Sequence, residues 1–157
     1  RRQRQMCIRD SIITQYANPE KELEGILTRI QMEDLDDVAI LVPSDKEVMM
    51  VNDYLANHGI KTQVMYRTGN TVPFRTVNTL DFSNNDLPCI LTYYAAKGSE
   101  FDNVFVPFAN TSNDCSRNSF YVACTRSSRS LYISYSGTKT KYLSDVNSDF
   151  ITELKAA

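Results

Sequence analysis

Val38-Ala39-Ile40-Leu41-Val42 is an unbroken apolar run of five residues, stopped at once by Pro43-Ser44. A run that short, with no polar alternation, suits a strand covered on both faces, and such strands belong to parallel sheets layered between helices. The next residues read as one of those helices. Ser44 and Glu47 have the spacing of a capping box, and Val48, Val51, Tyr54 and Leu55 make one apolar stripe. His58-Gly59 then closes the helix, with Gly59 suited to the left-handed cap position. His58 is the only histidine; at a helix end a cation suits the dipole, and no catalytic role is assigned to it.

The same alternation recurs along the chain. Ile8 to Tyr16 is β-leaning around Ile12-Ile13. Asn18-Pro19-Glu20 supplies a cap, a proline at the first helical position and acids in the first turn, and Leu23, Ile26, Leu27 and Ile30 follow at helical spacing to an end near Met32. Ile60 to Tyr66 reads as a strand. From Arg67 to Asp86 the chain is polar and irregular, with a short β-like piece at Thr76 to Leu80. Cys89 to Tyr93 and Val104-Phe105-Val106-Pro107 are again strands of the buried type. Arg117 to Arg126 carries Phe120, Tyr121 and Cys124 at helical spacing, Leu131 to Tyr135 is a last strong strand, and Phe150 to Lys155 is expected to be a terminal helix. This order predicts an α/β fold, a mostly parallel sheet in a three-layer α/β/α sandwich. The 157 residues fit one domain, residues 1–157, with a single core. In such sheets ligands sit at the carboxyl ends of the strands, and the two chemistry-bearing segments described next are expected at that edge.

Composition narrows the function. Net charge is −2, which argues against a free-standing, sequence-independent nucleic-acid binder but leaves room for a local basic groove. Cys7, Cys89, Cys115 and Cys124 show no metal-ligand spacing and read as small core residues in a reducing, cytoplasmic setting. No apolar run has the length of a membrane span, and there is no signal peptide. The chain has no initiator methionine and opens Arg1-Arg2-Gln3-Arg4; the expectation is an excised part of a longer protein with a solvated basic linker at its start.

Two segments carry chemistry. The first is Thr92-Tyr93-Tyr94-Ala95-Ala96-Lys97-Gly98-Ser99-Glu100-Phe101-Asp102, which follows the Cys89 strand. Gly98 permits a close turn, Glu100 can accept from a ribose hydroxyl, and Lys97 can meet a phosphate or pair with Glu100. Alone, the same residues also describe a surface turn. The second is Tyr121-Val122-Ala123-Cys124-Thr125-Arg126. Its plain reading is core residues with a solvated end. Its functional reading turns on Arg126, whose planar, permanently charged fork matches charge developing on a transferred phosphoryl group.

Strand, T-x-x-A-A-K-G-S-E-F-D, strand, Y-V-A-C-T-R, strand resembles motifs V and VI of superfamily 1 helicases of the UvrD/Rep type, which read roughly T-x-H-x-A-K-G-L-E-F and Y-V-A-x-T-R-A. The resemblance spans most of the chain and implies the second RecA-like domain of such an enzyme. It implies that Arg126 touches the γ-phosphate of ATP as an arginine finger, that Glu100 lies near the ribose with Gly98 beside it and Lys97 near a phosphate, and that Thr92, Tyr93 and Tyr94 lie near single-stranded DNA, RNA not being excluded. Tyr94 stands where the family usually has histidine, and its ring can stack or hydrogen-bond. Ser99 replaces the commoner leucine, as in RecD-like relatives. In the region around motif IV, Pro43 stands where the family pattern leads one to expect an ATP-contacting arginine, so that Arg126 acts alone, Arg67 or Arg75 supplies the second cation, or hydrolysis is impaired.

No phosphate-cradling G-x-x-x-x-G-K-[ST] occurs, nor an apolar strand ending in paired acids to hold Mg²⁺; Asp36-Asp37 precedes its strand and reads as a solvated loop. ATP and Mg²⁺ would be bound jointly with an N-terminal RecA-like domain, and the chain alone is expected not to hydrolyse ATP. Two alternatives stand beside the helicase half: a hydrolysis-deficient module that binds nucleic acid or a protein partner, which Pro43 keeps open, and a nuclease, which the lack of clustered acids disfavours. Tyr66, Phe74 and Phe82 read as a peripheral core, with base stacking as the alternative.

Overall fold

A computed structural model describes residues 10–68, 75–110, 117–145 and 151–156, without the side chains of residues 10, 144, 145 and 151. The basic start, Cys7, Phe74 and Cys115 lie outside these residues. In chain order the elements are β1 (Asp10–Tyr16), α1 (Pro19–Met32), β2 (Val38–Val42), α2 (Asp45–Asn57), β3 (Gln63–Thr68), β4 (Arg75–Asn78), β5 (Cys89–Thr92), β6 (Phe101–Val106), α3 (Arg117–Cys124), β7 (Ser127–Ser136), a 3₁₀ turn (Lys141–Asp145) and β8 (Ile151–Lys155).

The strands form one sheet in the order β4-β3-β5-β2-β6-β7-β1-β8. Every pairing is parallel except β3 with β4. The alternation of Val38–Val42 explains the layering. Val38, Ile40 and Val42 pack under α1 and α2 with Leu23, Ile26, Val48, Val51 and Leu55. Ala39 and Leu41 face the other way, toward Tyr93, Ala96, Phe120, Ala123 and Leu143. All five residues of β2 are buried, as an apolar run with helices on one face and α3 on the other requires.

Local signals set the helix ends. The Asn18 side chain accepts from the Lys21 N–H at 2.9 Å, capping α1 directly ahead of Pro19. At α2 the capping box does not close: the Ser44 hydroxyl donates to the Glu47 carboxylate at 2.7 Å rather than meeting a backbone N–H. The far end is a full Schellman motif, Ile60 N–H to Leu55 C=O at 2.9 Å and Gly59 N–H to Ala56 C=O at 3.1 Å, with Gly59 at φ 80°.

Three expectations are corrected. The terminal helix is a strand: β8 lies parallel on β1, from Ser11↔Ile151 to Gln15↔Lys155. Five residues cannot nucleate a lasting helix, whereas β1 offers an unpaired edge. Second, β6 and β7 begin well before their apolar cores, at Phe101 and Ser127, because polar Asp102, Asn103 and Ser128 can still join a backbone ladder. Third, Asp36-Asp37 is not a merely solvated loop. Asp37 has φ 47°, its carboxylate accepts from the Asp102 N–H at 3.0 Å, and the Asn103 side chain donates to the Asp36 carbonyl at 2.7 Å. The pair fastens β2 to β6.

Candidate functional site

Parallel strands give the sheet two chemically distinct rims. The carboxyl rim collects Thr68, Thr92 and Val42; the amino rim collects Gln63, Cys89, Val38, Phe101 and Ser127. The segment 93–100 connects them. It leaves the carboxyl end of β5, passes over β2, and enters β6 at its amino end.

This crossover is a single helical turn. The Thr92 hydroxyl accepts from the Ala95 N–H at 3.1 Å and the Thr92 carbonyl from the Ala96 N–H at 3.1 Å. The turn closes with the Ser99 N–H on the Ala96 carbonyl at 3.0 Å, and Gly98 at φ 86° reverses the chain where a Cβ would be strained. Residues three apart share a face. Tyr93 and Ala96 point inward, at 3% and 0% exposure, while Tyr94 is 84% exposed and Lys97 is exposed beside it. Tyr93 meets Phe120 edge-on, ring centroids 6.3 Å apart. Tyr93 is therefore a core residue and unavailable to a passing strand, which corrects its reading as a nucleic-acid contact; the aromatic on the surface is Tyr94.

At the carboxyl rim, Thr92, Tyr94 and Ala95 line a groove of about 490 Å³ with Pro43, Ser44, Asp45, Met65, Tyr66, Arg67 and Thr76. Arg67 lies 3.8 Å from the Asp45 carboxylate, which also accepts from the Arg67 N–H at 3.2 Å.

At the amino rim, Arg126 ends the α3 segment immediately before β7. Its Nε donates to the Val122 carbonyl at 3.1 Å, Nη1 to the Ser99 carbonyl at 3.4 Å and Nη2 to the Thr125 hydroxyl at 3.2 Å. The backbone is tied in as well, with the Phe101 N–H on the Arg126 carbonyl at 2.9 Å. Arg126 is thus held against the Ser99-Glu100-Phe101 segment. The expectation that both segments meet at the carboxyl edge is corrected: Gly98, Glu100 and Arg126 belong to the amino rim because each immediately precedes a strand. Arg67 lies on the opposite rim, so it does not converge with Arg126, and Pro43 shares the groove with Thr92 and Tyr94 rather than the surroundings of Arg126. Arg75 begins β4 and pairs with Thr68, which also places it at the carboxyl rim.

Beside Glu100 the amino rim opens into a cleft of about 380 Å³, lined by Gly98, Ser99, Glu100 and Phe101 on one side and by Phe82, Asn84 and Asn85 on the other, with Cys89 in its lining. Burial, with the charge of Asp37, pushes the Cys89 thiol up to about 12. It stays protonated at neutral pH and is no nucleophile.

A buried carboxylate escapes sequence reasoning. Glu22, expected among the solvated acids of the first turn of α1, is fully buried. Its oxygens accept from the Phe108 N–H and the Ser134 hydroxyl, both at 2.8 Å, and from the Ser136 hydroxyl at 3.1 Å. Phe108 is held at φ 63°, an unusual conformation for a bulky residue. Burial raises the Glu22 carboxyl above the usual range, opposed by the bonds from Phe108, Ser134 and Ser136. Only the i, i+4 spacing to Ile26 hints at burial, and a carboxylate there reads equally well as helix-dipole chemistry.

Comparisons with known proteins fit this arrangement. Residues 88–134, from β5 through most of β7, match the family model of the UvrD-like helicase C-terminal domain. The C-terminal domain of a possible DNA helicase from Lactobacillus plantarum WCFS1 superposes with TM-score 0.70 at 22% identity, covering 93% of this chain and 84% of that one. The C-terminal domain of the DEAD-box protein Dbp5 gives 0.65 at 11% identity, covering 96% and 92%. Escherichia coli SrmB, a DEAD-box protein solved with the regulator of ribonuclease activity A, gives 0.64 at 14%, covering 95% and 90%. No curated protein sequence matches. The fold and the matched segment together make this chain a second RecA-like helicase domain. Among the described residues, no helix is long and apolar enough to cross a membrane, and no cluster of metal-ligating side chains occurs.

Proposed function

We propose that the chain is the C-terminal motor half of an ATP-dependent DNA helicase or translocase. The single observation that carries this reading is the crossover 93–100, which joins a surface aromatic on one rim to Glu100 and the Arg126 surroundings on the other in one turn of chain. In this reading ATP and Mg²⁺ are held jointly with an N-terminal RecA-like domain, which supplies the phosphate cradle and the metal ligands. The bound metal would neutralise phosphate charge.

This chain's own residues do the rest. Arg126 now donates to neutral oxygens; a phosphate oxygen is a stronger, charge-assisted acceptor and would draw the guanidinium out to stabilise transition-state charge. Glu100 accepts from the ribose, and Lys97 meets phosphate from the exposed face of the turn. Thr92 and Tyr94 hold single-stranded DNA at the carboxyl rim, with stacking on Tyr94 tolerant of sequence. Closure of the two domains around nucleotide shifts the crossover, and the shift changes the grip on the strand.

The alternative, a hydrolysis-deficient binding module, rested on Pro43. Since Pro43 lines the carboxyl-rim groove, its identity bears on the strand track more than on phosphate chemistry. ATP turnover by the full-length protein, with and without single-stranded DNA, separates the readings. The motor reading expects DNA-stimulated hydrolysis that Arg126→Ala lowers by roughly 10³-fold or more with ATP affinity largely kept. Absence of hydrolysis in the wild type would favour the binding module.

A further inference from the structure

The loop between β4 and β5 is built with unusual care for a polar connection. Gln63, at 2% exposure, spends its whole amide on it: Nε2 donates to the Asn84 carbonyl at 2.9 Å and the Leu87 carbonyl at 3.0 Å, and Oε1 accepts from the Asp81 N–H at 2.6 Å. The Asn85 carbonyl accepts from the Asp37 N–H at 2.9 Å. Within the loop, Asn78, Asp81 and Asn84 each accept from the backbone N–H two residues on, which stiffens three successive turns. A buried glutamine used this way fixes the loop rather than merely tolerating it.

What the loop presents is Phe82. Its ring is 54% exposed, although Phe101 lies within 6.1 Å, centroid to centroid, ready to back it. Phe82 forms the wall of the amino-rim cleft facing Gly98, Ser99 and Glu100. At about 380 Å³ the cleft is within the range of small-ligand sites and has room for a nucleoside.

We propose that this cleft is the base subsite of the nucleotide, with Phe82 as its stacking platform and Gln63 as the residue that positions the platform. The proposal rests on the nucleotide reading of the amino rim: with the ribose at Glu100, the base extends away from Arg126 and over Phe82. A flat ring accepts the π-face of any base, and the side-chain amide of Asn85, at the exposed edge of the cleft, offers a donor and an acceptor for a base edge.

The test is calorimetric titration of the full-length protein with ATP and, separately, with inorganic tripolyphosphate, which has the phosphates but no base. Phe82→Ala should weaken ATP roughly fivefold or more and leave tripolyphosphate unchanged, while Phe82→Tyr should bind ATP like the wild type. Phe82→Ala with wild-type ATP affinity, or with both ligands weakened equally, overturns the subsite. Titration of Arg126→Ala in the same series keeps the two readings apart. If Arg126→Ala abolishes turnover while Phe82→Ala binds ATP normally, the base subsite fails and the motor stands. If the full-length wild type binds neither ligand, both fail.

Discussion

Arg126 and Glu22 show how differently one charge is used at two sites. The Arg126 guanidinium rests on carbonyl and hydroxyl oxygens at the end of α3, contacts that phosphate oxygens readily replace. Lysine lacks the planar fork, so Arg126→Lys should recover little of the turnover lost in Arg126→Ala, measured as steady-state ATP hydrolysis. Glu22, by contrast, is locked in place, and its carboxyl is raised by burial. A carboxyl with a raised folded value holds its proton more tightly in the native state. Its contribution to stability is therefore fully present below its unfolded value, near the ordinary 4.5, and is lost as pH rises through the folded value. Glu22→Gln can keep the bonds, its oxygen accepting from Phe108 and Ser134 and its amide donating to Ser136. Its stability relative to the wild type should accordingly rise between about pH 4 and pH 7, as read from urea midpoints. Glu22→Leu leaves three donors unmet and should cost about 2–4 kcal/mol at either pH. Neither role is written in residue type alone. Arg126 was legible because Y-V-A-C-T-R is a patterned string, whereas Glu22 is one acid among several in a first turn, and its partners lie far away in sequence at Phe108, Ser134 and Ser136.

At the scale of elements, the legible parts were those fixed by local chemistry. Asn18-Pro19 starts α1, Gly59 ends α2 in a Schellman motif, and the apolar run of β2 predicts burial on both faces. The misread parts depended on partners. β8 shows Ile and Leu three apart, which suits a helix, but β1 needed an edge partner and five residues sufficed. β6 and β7 open with polar residues that a hydropathy pattern leaves outside strands. That shortening moved Glu100 and Arg126 away from the strand starts and hid the amino rim. Tyr93 and Tyr94 differ only by which side of a single turn they occupy. Gly98 shapes that turn through φ 86°, and a Cβ there would touch nothing within 4 Å. Gly98→Ala should therefore cost about 1–2 kcal/mol from backbone strain alone, seen as a lower denaturation midpoint with no loss of native contacts.

For the whole molecule, the two rims divide the labour. The carboxyl-rim groove carries an exposed tyrosine and a salt-bridged arginine, and the amino-rim cleft sits beside Glu100 and Arg126. Tyr94→Ala should weaken single-stranded DNA binding roughly fivefold or more, in a fluorescence-anisotropy titration, and the wild-type affinity should fall as salt rises. A domain with net charge −2 binds through local contacts, so the salt slope should be shallow compared with that of a basic protein. The general α/β architecture was evident from the alternation of elements, but the rim assignments needed the strand boundaries and the pairing order β5-β2-β6.

The claim on which the rest depends is that one turn of chain, residues 93–100, links the strand track to the nucleotide site. It is tested most directly by the dissociation constant of single-stranded DNA from the full-length protein, measured with and without a non-hydrolysable ATP analogue. Linked rims predict at least about a fivefold difference, with an equal and reciprocal effect of DNA on analogue affinity. The same DNA affinity in both states, with the analogue shown to be bound, would contradict the claim.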